Sequence, residues 1–134
     1  MGIRKRNKAN ILKTQKNKLA VAKLRNCPIS PRKMRSVADL LRGKEVGKAL
    51  NILKFNPRHA SKYLEKLLLS AISNWQSKNE DQSIESSIII VNEIRVDGGR
   101  MLKRLRPAPQ GRAHRIRKRS NHVTVVFESN NQTK

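Results

Sequence analysis

Three features of this 134-residue sequence predict an α+β fold. Apolar residues recur at helical spacing in three segments between Ser30 and Asn79. Strand-like runs stand on either side of them: the alternating Leu19–Arg25 before, the β-branched Ser87–Val96 and His122–Phe127 after. A 23-residue basic stretch, Asp97 to Arg119, separates the last two runs and carries its own turn signal. Helices grouped in sequence beside short strands read as a mixed body rather than as alternating βαβ units. The length fits one domain, residues 19–134, behind a basic N-terminal extension, residues 1–18.

The extension is rich in Lys, Arg, Asn and Gln. It offers too few apolar groups to offset its ordering entropy, so it is expected to be disordered alone and to order on a polyanion. In the first strand Leu19, Val21 and Lys23 share one face and Ala20, Ala22 and Leu24 the other. Ser30-Pro31 opens the first helix of the body, with Ser30 as N-cap and Pro31 at the first helical position. Met34, Val37, Ala38 and Leu41 follow as one stripe, and Gly43 is the expected stop. Lys44–Lys54 reads as a second short helix, with Val46, Ala49, Leu50 and Leu53 on one side. Asn56-Pro57 repeats the cap-and-proline signal ahead of the longest helix. There Ala60, Leu64, Leu67, Leu68, Ala71, Ile72 and Trp75 run down one side, with fraying near Lys78-Asn79 and Glu80-Asp81 at the end.

The strand from Ser87 continues through Ile94 and Val96. Gly98-Gly99 could form a tight turn, but Pro107-Ala108-Pro109-Gln110-Gly111 is the stronger signal and lies near the midpoint between the two strands. The expected structure is a long hairpin, about 97–119, that projects beyond the body. Its 23 residues folded in half at about 3.3 Å each reach roughly 35 Å.

Charge is segregated. The net charge is +22, from 31 Lys+Arg and 9 Asp+Glu. Met1–Ala38 holds 12 basic residues and no acid, and Asp39–Gly99 holds 9 basic and 8 acidic residues. Arg100–Lys134 holds 10 basic residues and one acid, Glu128. A near-neutral middle between two cationic ends is the footprint of a polyanion partner. Aromatics are 3% of the chain, too few for a base-stacking reader of single strands. Guanidinium and ammonium groups suit phosphates instead, so shape and backbone are read. This predicts a binder of a folded RNA or, as the alternative, an architectural DNA protein with Met101-Leu102 or Pro107 as a wedge.

Other classes find little support. Cys27 is the sole cysteine, which leaves no internal disulfide and no cysteine-based zinc site. No apolar run approaches the roughly 18–20 residues of a membrane helix, and the N-terminus lacks a secretory apolar stretch. A cationic membrane-active or secreted protein is therefore the third hypothesis. His59, His114 and His122 are far apart and have no carboxylate cluster beside them. Phosphate-cradling glycine loops, metal-ligand spacings and nucleophile motifs are missing. The expectation is a non-enzyme with no cofactor, no metal and no small-molecule substrate.

Several motifs resemble a known family. Ser30-Pro31-Arg32-Lys33-Met34-Arg35, with Val37-Ala38-Asp39-Leu40-Leu41-Arg42-Gly43-Lys44, looks like the first helix of large-subunit ribosomal protein twenty-two (the L twenty-two family), bacterial type. Ala49-Leu50-Asn51-Ile52-Leu53 and Leu69-Ser70-Ala71-Ile72-Ser73-Asn74 fit its next helices. Lys103-Arg104-Leu105-Arg106-Pro107 with Gln110-Gly111-Arg112-Ala113-His114-Arg115-Ile116 resembles its hairpin tip, and Arg119-Ser120-Asn121-His122-Val123-Thr124-Val125 its closing strand. The likeness spans about Leu19 to Glu128; the run to Lys18 is longer than expected of bacterial members.

The resemblance implies a small body of three helices packed on a short antiparallel sheet. It implies a cytoplasmic ribosomal protein, or one of an organelle ribosome, that acts early in subunit assembly. Its partners would be large-subunit ribosomal RNA, neighbouring ribosomal proteins and the nascent polypeptide. The expected RNA contacts are Arg4, Lys5, Arg6 and Lys8 in the extension, Arg25 on the first strand, and Arg32, Lys33 and Arg35 on the first body helix. In the arm they are Arg100, Lys103, Arg104, Arg106 and Arg112, followed by His114, Arg115, Arg117, Lys118 and Arg119. The expected tunnel-lining tip runs Leu102, Lys103, Arg104, Leu105 and Arg106, then Pro107, Ala108, Pro109, Gln110 and Gly111.

Overall fold

The computed structural model describes residues 2–79 and 88–129. The expectations for Glu80-Asp81 and Ser87 lie outside those residues. In chain order the elements are α1 (Ile3–Lys18), β1 (Ala20–Cys27), α2 (Pro31–Leu41), α3 (Val46–Phe55), α4 (His59–Gln76), β2 (Ile89–Pro107), a 3-10 turn (Pro109–Gly111) and β3 (Ala113–Ser129). The three strands form one antiparallel sheet in the order β1-β3-β2.

The class is α+β, with one more helix than expected. Residues read as a disordered extension form α1, a run free of Pro and Gly whose Lys, Arg, Ala, Leu and Gln are good helix formers. Propensity, not packing, makes this helix: its residues from Ile3 to Thr14 are exposed except Ala9.

The body core is the set of stripes meeting the sheet. Met34, Val37, Ala38 and Leu41 of α2 are fully buried, as are Leu64, Leu68 and Ala71 of α4. They pack with Val91 and Ile94 of β2 and Val123, Val125 and Phe127 of β3. On β1 the small face, Ala20 and Ala22, turns inward, while Leu19 and Lys23 are exposed. Alanines there leave room for α4 to lie close against the strand.

Two helix starts differ from the sequence reading. Ser30 occupies the N-cap position of α2, but its hydroxyl makes no capping bond. α4 begins at His59, two residues after Pro57, because Asn56 Oδ1 accepts from the Arg58 N–H at 3.1 Å and closes a local turn first.

The open edge of β2 is covered by α2 and the segment after it. Val91 exchanges backbone hydrogen bonds with Gly43 (N–H donor, 2.9 Å) and Lys44 (carbonyl acceptor, 2.9 Å). Gly43 sits at φ +72°, the left-handed conformation that lets the chain double back onto the strand. Farther along, Arg42 Nη2 donates to the Ile94 carbonyl at 3.1 Å and Arg35 Nη2 to the Val96 carbonyl at 3.0 Å. Backbone and guanidinium groups thus satisfy an edge that would otherwise invite another strand.

Past Val96 this cover ends and the hairpin continues alone. Gly98 pairs with Asn121 and Met101 with Arg119, so Gly99 and Arg100 stand opposite the single residue Ser120. This bulge, Gly99-Arg100, marks the boundary between body and arm, and Gly98-Gly99 lies within β2 and forms no turn. Ser120 Oγ donates to the Arg100 carbonyl across it. A side chain at Gly99 would meet Ser120 Oγ at 2.7 Å and the backbone of Ser120 and Asn121 at 3.2 and 3.3 Å. The strands then run in register from Met101↔Arg119 to Pro107↔Ala113. The tip closes between Ala108 and Arg112, whose backbones bond at 2.9 Å, with Gln110 and Gly111 both at positive φ.

Candidate nucleic-acid interface

From Arg100 to Arg119 every residue is exposed except Ala108, which is half-buried. Nine are Lys or Arg and none is acidic. The register sets Lys103 directly opposite Arg117, and Met101 opposite Arg119. Like charges directly opposite each other destabilise a ladder, and an isolated two-stranded ribbon is marginal in water. Alternation divides the arm into two faces: Lys103, Leu105, Arg115 and Arg117 share one, Arg104, Arg106, His114 and Ile116 the other. Both faces mix cations with exposed apolar groups, so neither is built to pack on the body.

At the foot of the arm the body adds cations of its own. A groove of about 600 Å³ lies between the starts of α2 and α4 and the returning strand, lined by Lys33, Ser36, Arg58, His59 and Arg117–Arg119. A second hollow joins Arg32 and Arg35 to Arg117 and Arg119. Arg58 is fixed in place: its Nη1 donates to the Ser36 carbonyl at 3.2 Å and to Ser36 Oγ at 3.1 Å. Arg35 divides its donors between this surface and the Val96 carbonyl; a guanidinium has five N–H groups, so one bond leaves others for an anion. Nothing in the sequence pattern marks Arg58 or His59 as part of this surface. They lie some 60 residues from Arg117 along the chain, and only the packing of α4 beside α2 brings them to it.

The remaining expected contacts fall in two places. Arg4, Lys5, Arg6 and Lys8 are exposed on α1 and line neither hollow. Arg25 is exposed where β1 bulges between Leu24 and Cys27. In that bulge Asn26, at φ +55°, donates its N–H to His122 Nδ1 at 3.0 Å. His122 is thereby a structural acceptor, while His59 meets Tyr63 edge-on with ring centroids 5.3 Å apart. Among the described residues no helix is long and apolar enough to cross a membrane.

The chain is similar to known proteins along nearly its whole length. The family model described as ribosomal protein L22p/L17e matches residues 22–128. Large ribosomal subunit protein uL22 of Christiangramia forsetii is 66% identical over 133 residues, 99% of this chain and 98% of that protein. Proteins of the same name from Flavobacterium johnsoniae and Porphyromonas gingivalis are 63% and 55% identical, covering 99% and 98% of this chain and 97% of each of those proteins. The match runs from β1 through the whole arm to the end of β3, and on that ground the chain belongs to the ribosomal protein L22p/L17e family.

Proposed function

We propose that this protein is a structural constituent of the large ribosomal subunit in the cytoplasm. It binds large-subunit ribosomal RNA through its arm and the cationic hollows at the arm's foot. The body, residues 19–96 with the end of β3, packs as a platform among neighbouring ribosomal proteins. The arm threads into RNA, and its tip, Leu102 to Gly111, lines the path of the nascent polypeptide. The protein joins the subunit early in assembly and catalyses no reaction.

One observation carries this reading: an exposed ribbon with nine cations and no acid, beyond a bulge where body packing stops. Self-repulsion opposes the ribbon in water. Phosphates on both faces convert that repulsion into attraction and release counterions. Arg and Lys positioned by a β ladder contact backbone phosphates, and the scarcity of aromatics agrees with recognition by shape.

The test is co-sedimentation with large subunits through sucrose gradients in high salt. Retention with the subunit is the expected result; recovery with nucleoid DNA or membranes rejects the proposal. With purified large-subunit RNA, log affinity should fall linearly with log salt. Neutralising about six phosphates gives a slope of roughly −4 to −5.

A further inference from the structure

Helices α2 and α4 pack on the sheet face that carries Val91, Val123 and Val125. Side chains alternate along a strand, so the opposite face is built from the residues between. The register lines them up in rows across the three strands. Val21, Val126 and Glu93 form one row, and Lys23, Thr124 and Arg95 the next. Asp97 follows on β2, opposite His122. A hollow of about 830 Å³ spans these rows and reaches Asn74 of α4 at its rim.

The chemistry of this hollow differs from that of the cationic surface. The hollows along the arm and at its foot are lined by cations without a carboxylate. This one sets Glu93 and Asp97 against Lys23 and Arg95, so it is neutral in a chain of net charge +22. Arg95 is taken by Glu93, its Nε donating to Oε1 at 2.8 Å. Asp97 is exposed and has no ion-pair partner among the described residues. The floor is apolar, with Val126 buried and Val21 half-buried.

These features select the kind of partner. Carboxylates repel a phosphate backbone, so the face does not extend the RNA-binding surface. An apolar floor, uncharged polar groups and an unpaired acid match the mixed make-up of a protein–protein interface. A second copy is a poor occupant, because two chains of +22 repel each other. The β1 edge beside the hollow is already engaged. Asn74 Nδ2 donates to the Val21 carbonyl at 3.1 Å and Lys78 Nζ to the Leu19 carbonyl at 2.8 Å. That hinders the addition of a strand, so an occupant is held on the face by side chains.

We infer that this outer sheet face is the docking site of a neighbouring protein of the subunit. That protein seats a segment bearing Lys or Arg in the hollow, with its cation on Asp97 and an apolar side chain over Val21 and Val126. The inference rests on the reading of the body as a platform within the large subunit and names the surface involved.

The test is photo-crosslinking in assembled large subunits. A benzophenone side chain replaces Thr124 in the hollow or, as a control, Ile116 in the arm, and adducts are identified by mass spectrometry after nuclease or protease digestion. If the Thr124 chain fails to enter subunits, the probe goes at Lys23, an exposed position of the same row. The probe in the hollow is expected to join a Lys- or Arg-containing peptide of another large-subunit protein, and the Ile116 probe to join RNA. Adding Asp97→Lys should cut the peptide adduct by about fivefold or more, since repulsion replaces attraction, and leave the RNA adduct of the control unchanged. RNA at the hollow, a peptide from a second copy of this chain, or no adduct there while Ile116 still reaches RNA overturns the inference and leaves the broader reading standing. A peptide adduct insensitive to Asp97→Lys overturns the charge-matched seat. Failure of the unsubstituted chain to enter large subunits, or of the Ile116 probe to reach RNA, overturns the broader reading instead.

Discussion

Asn121 Nδ2 donates to the Ile29 carbonyl at 2.7 Å, and the asparagine is fully buried. This bond spans 92 residues and fastens the entry of α2 to β3 at the level where the arm leaves the body. The other side-chain atom, Oδ1, finds no donor among the described residues. Asn121→Ala is expected to lower stability by about 1–3 kcal/mol, since a buried carbonyl loses its donor. Asn121→Asp should cost more, because an unpaired carboxylate would replace the amide. Urea denaturation of the three proteins gives the order.

Arg42 makes two bonds of unequal worth. Its ion pair with Asp39, at 3.2 Å, joins groups that are both more than half exposed. Its bond to the Ile94 carbonyl is partly buried and closes the β2 edge. Asp39→Asn should therefore change stability by less than about 1 kcal/mol. Arg42→Met should cost about 1–2 kcal/mol and raise the tendency to self-associate. Thermal unfolding and light scattering distinguish the two.

Removing Leu102–Arg104 shortens the exposed ribbon without touching the core. The body should still unfold cooperatively within a few degrees of the parent, while affinity for large-subunit RNA falls at least tenfold. Loss of the cooperative transition in calorimetry would contradict a projecting arm.

Gly99 sits across the bulge from Ser120 with no space for a side chain. Gly99→Val should cost about 1–3 kcal/mol by overpacking. It should also weaken RNA binding, because the bulge aims the arm. Gly47 faces open space, so Gly47→Ala should instead stabilise α3 by roughly 0.5–1 kcal/mol. Chemical denaturation of both variants, with RNA titration of the first, checks the pair.

Burial pushes the Cys27 thiol up, an effect partly offset by the Ile29 backbone N–H. A thiol whose folded pKa is raised contributes stability that is intact below its unfolded value, about 8.5, and that is lost as pH climbs through the folded value. Stability should therefore decline above about pH 8.5, and Cys27→Ala should remove that part of the decline. Alkylation by iodoacetamide at about pH 8 should be slow in the native chain and fast in urea.

The sequence by itself determined whatever rests on near neighbours. The α2 stripe, the tip at Pro107–Gly111 and the split between a neutral middle and cationic ends depend on spacing of a few residues or on composition. α1 is not legible from burial, because it has almost none; propensity alone favours that helix. The start of α4 moves because one asparagine side chain closes a turn two residues earlier. Tertiary structure alone decided the rest. Arg35 and Arg42 cap strand carbonyls more than 50 residues away, Arg58 meets the foot of the arm, and Gly99 falls in a bulge with Arg100 opposite Ser120 rather than in a turn. Each depends on which groups a folded chain brings within about 3 Å of one another, and no local pattern encodes such distances.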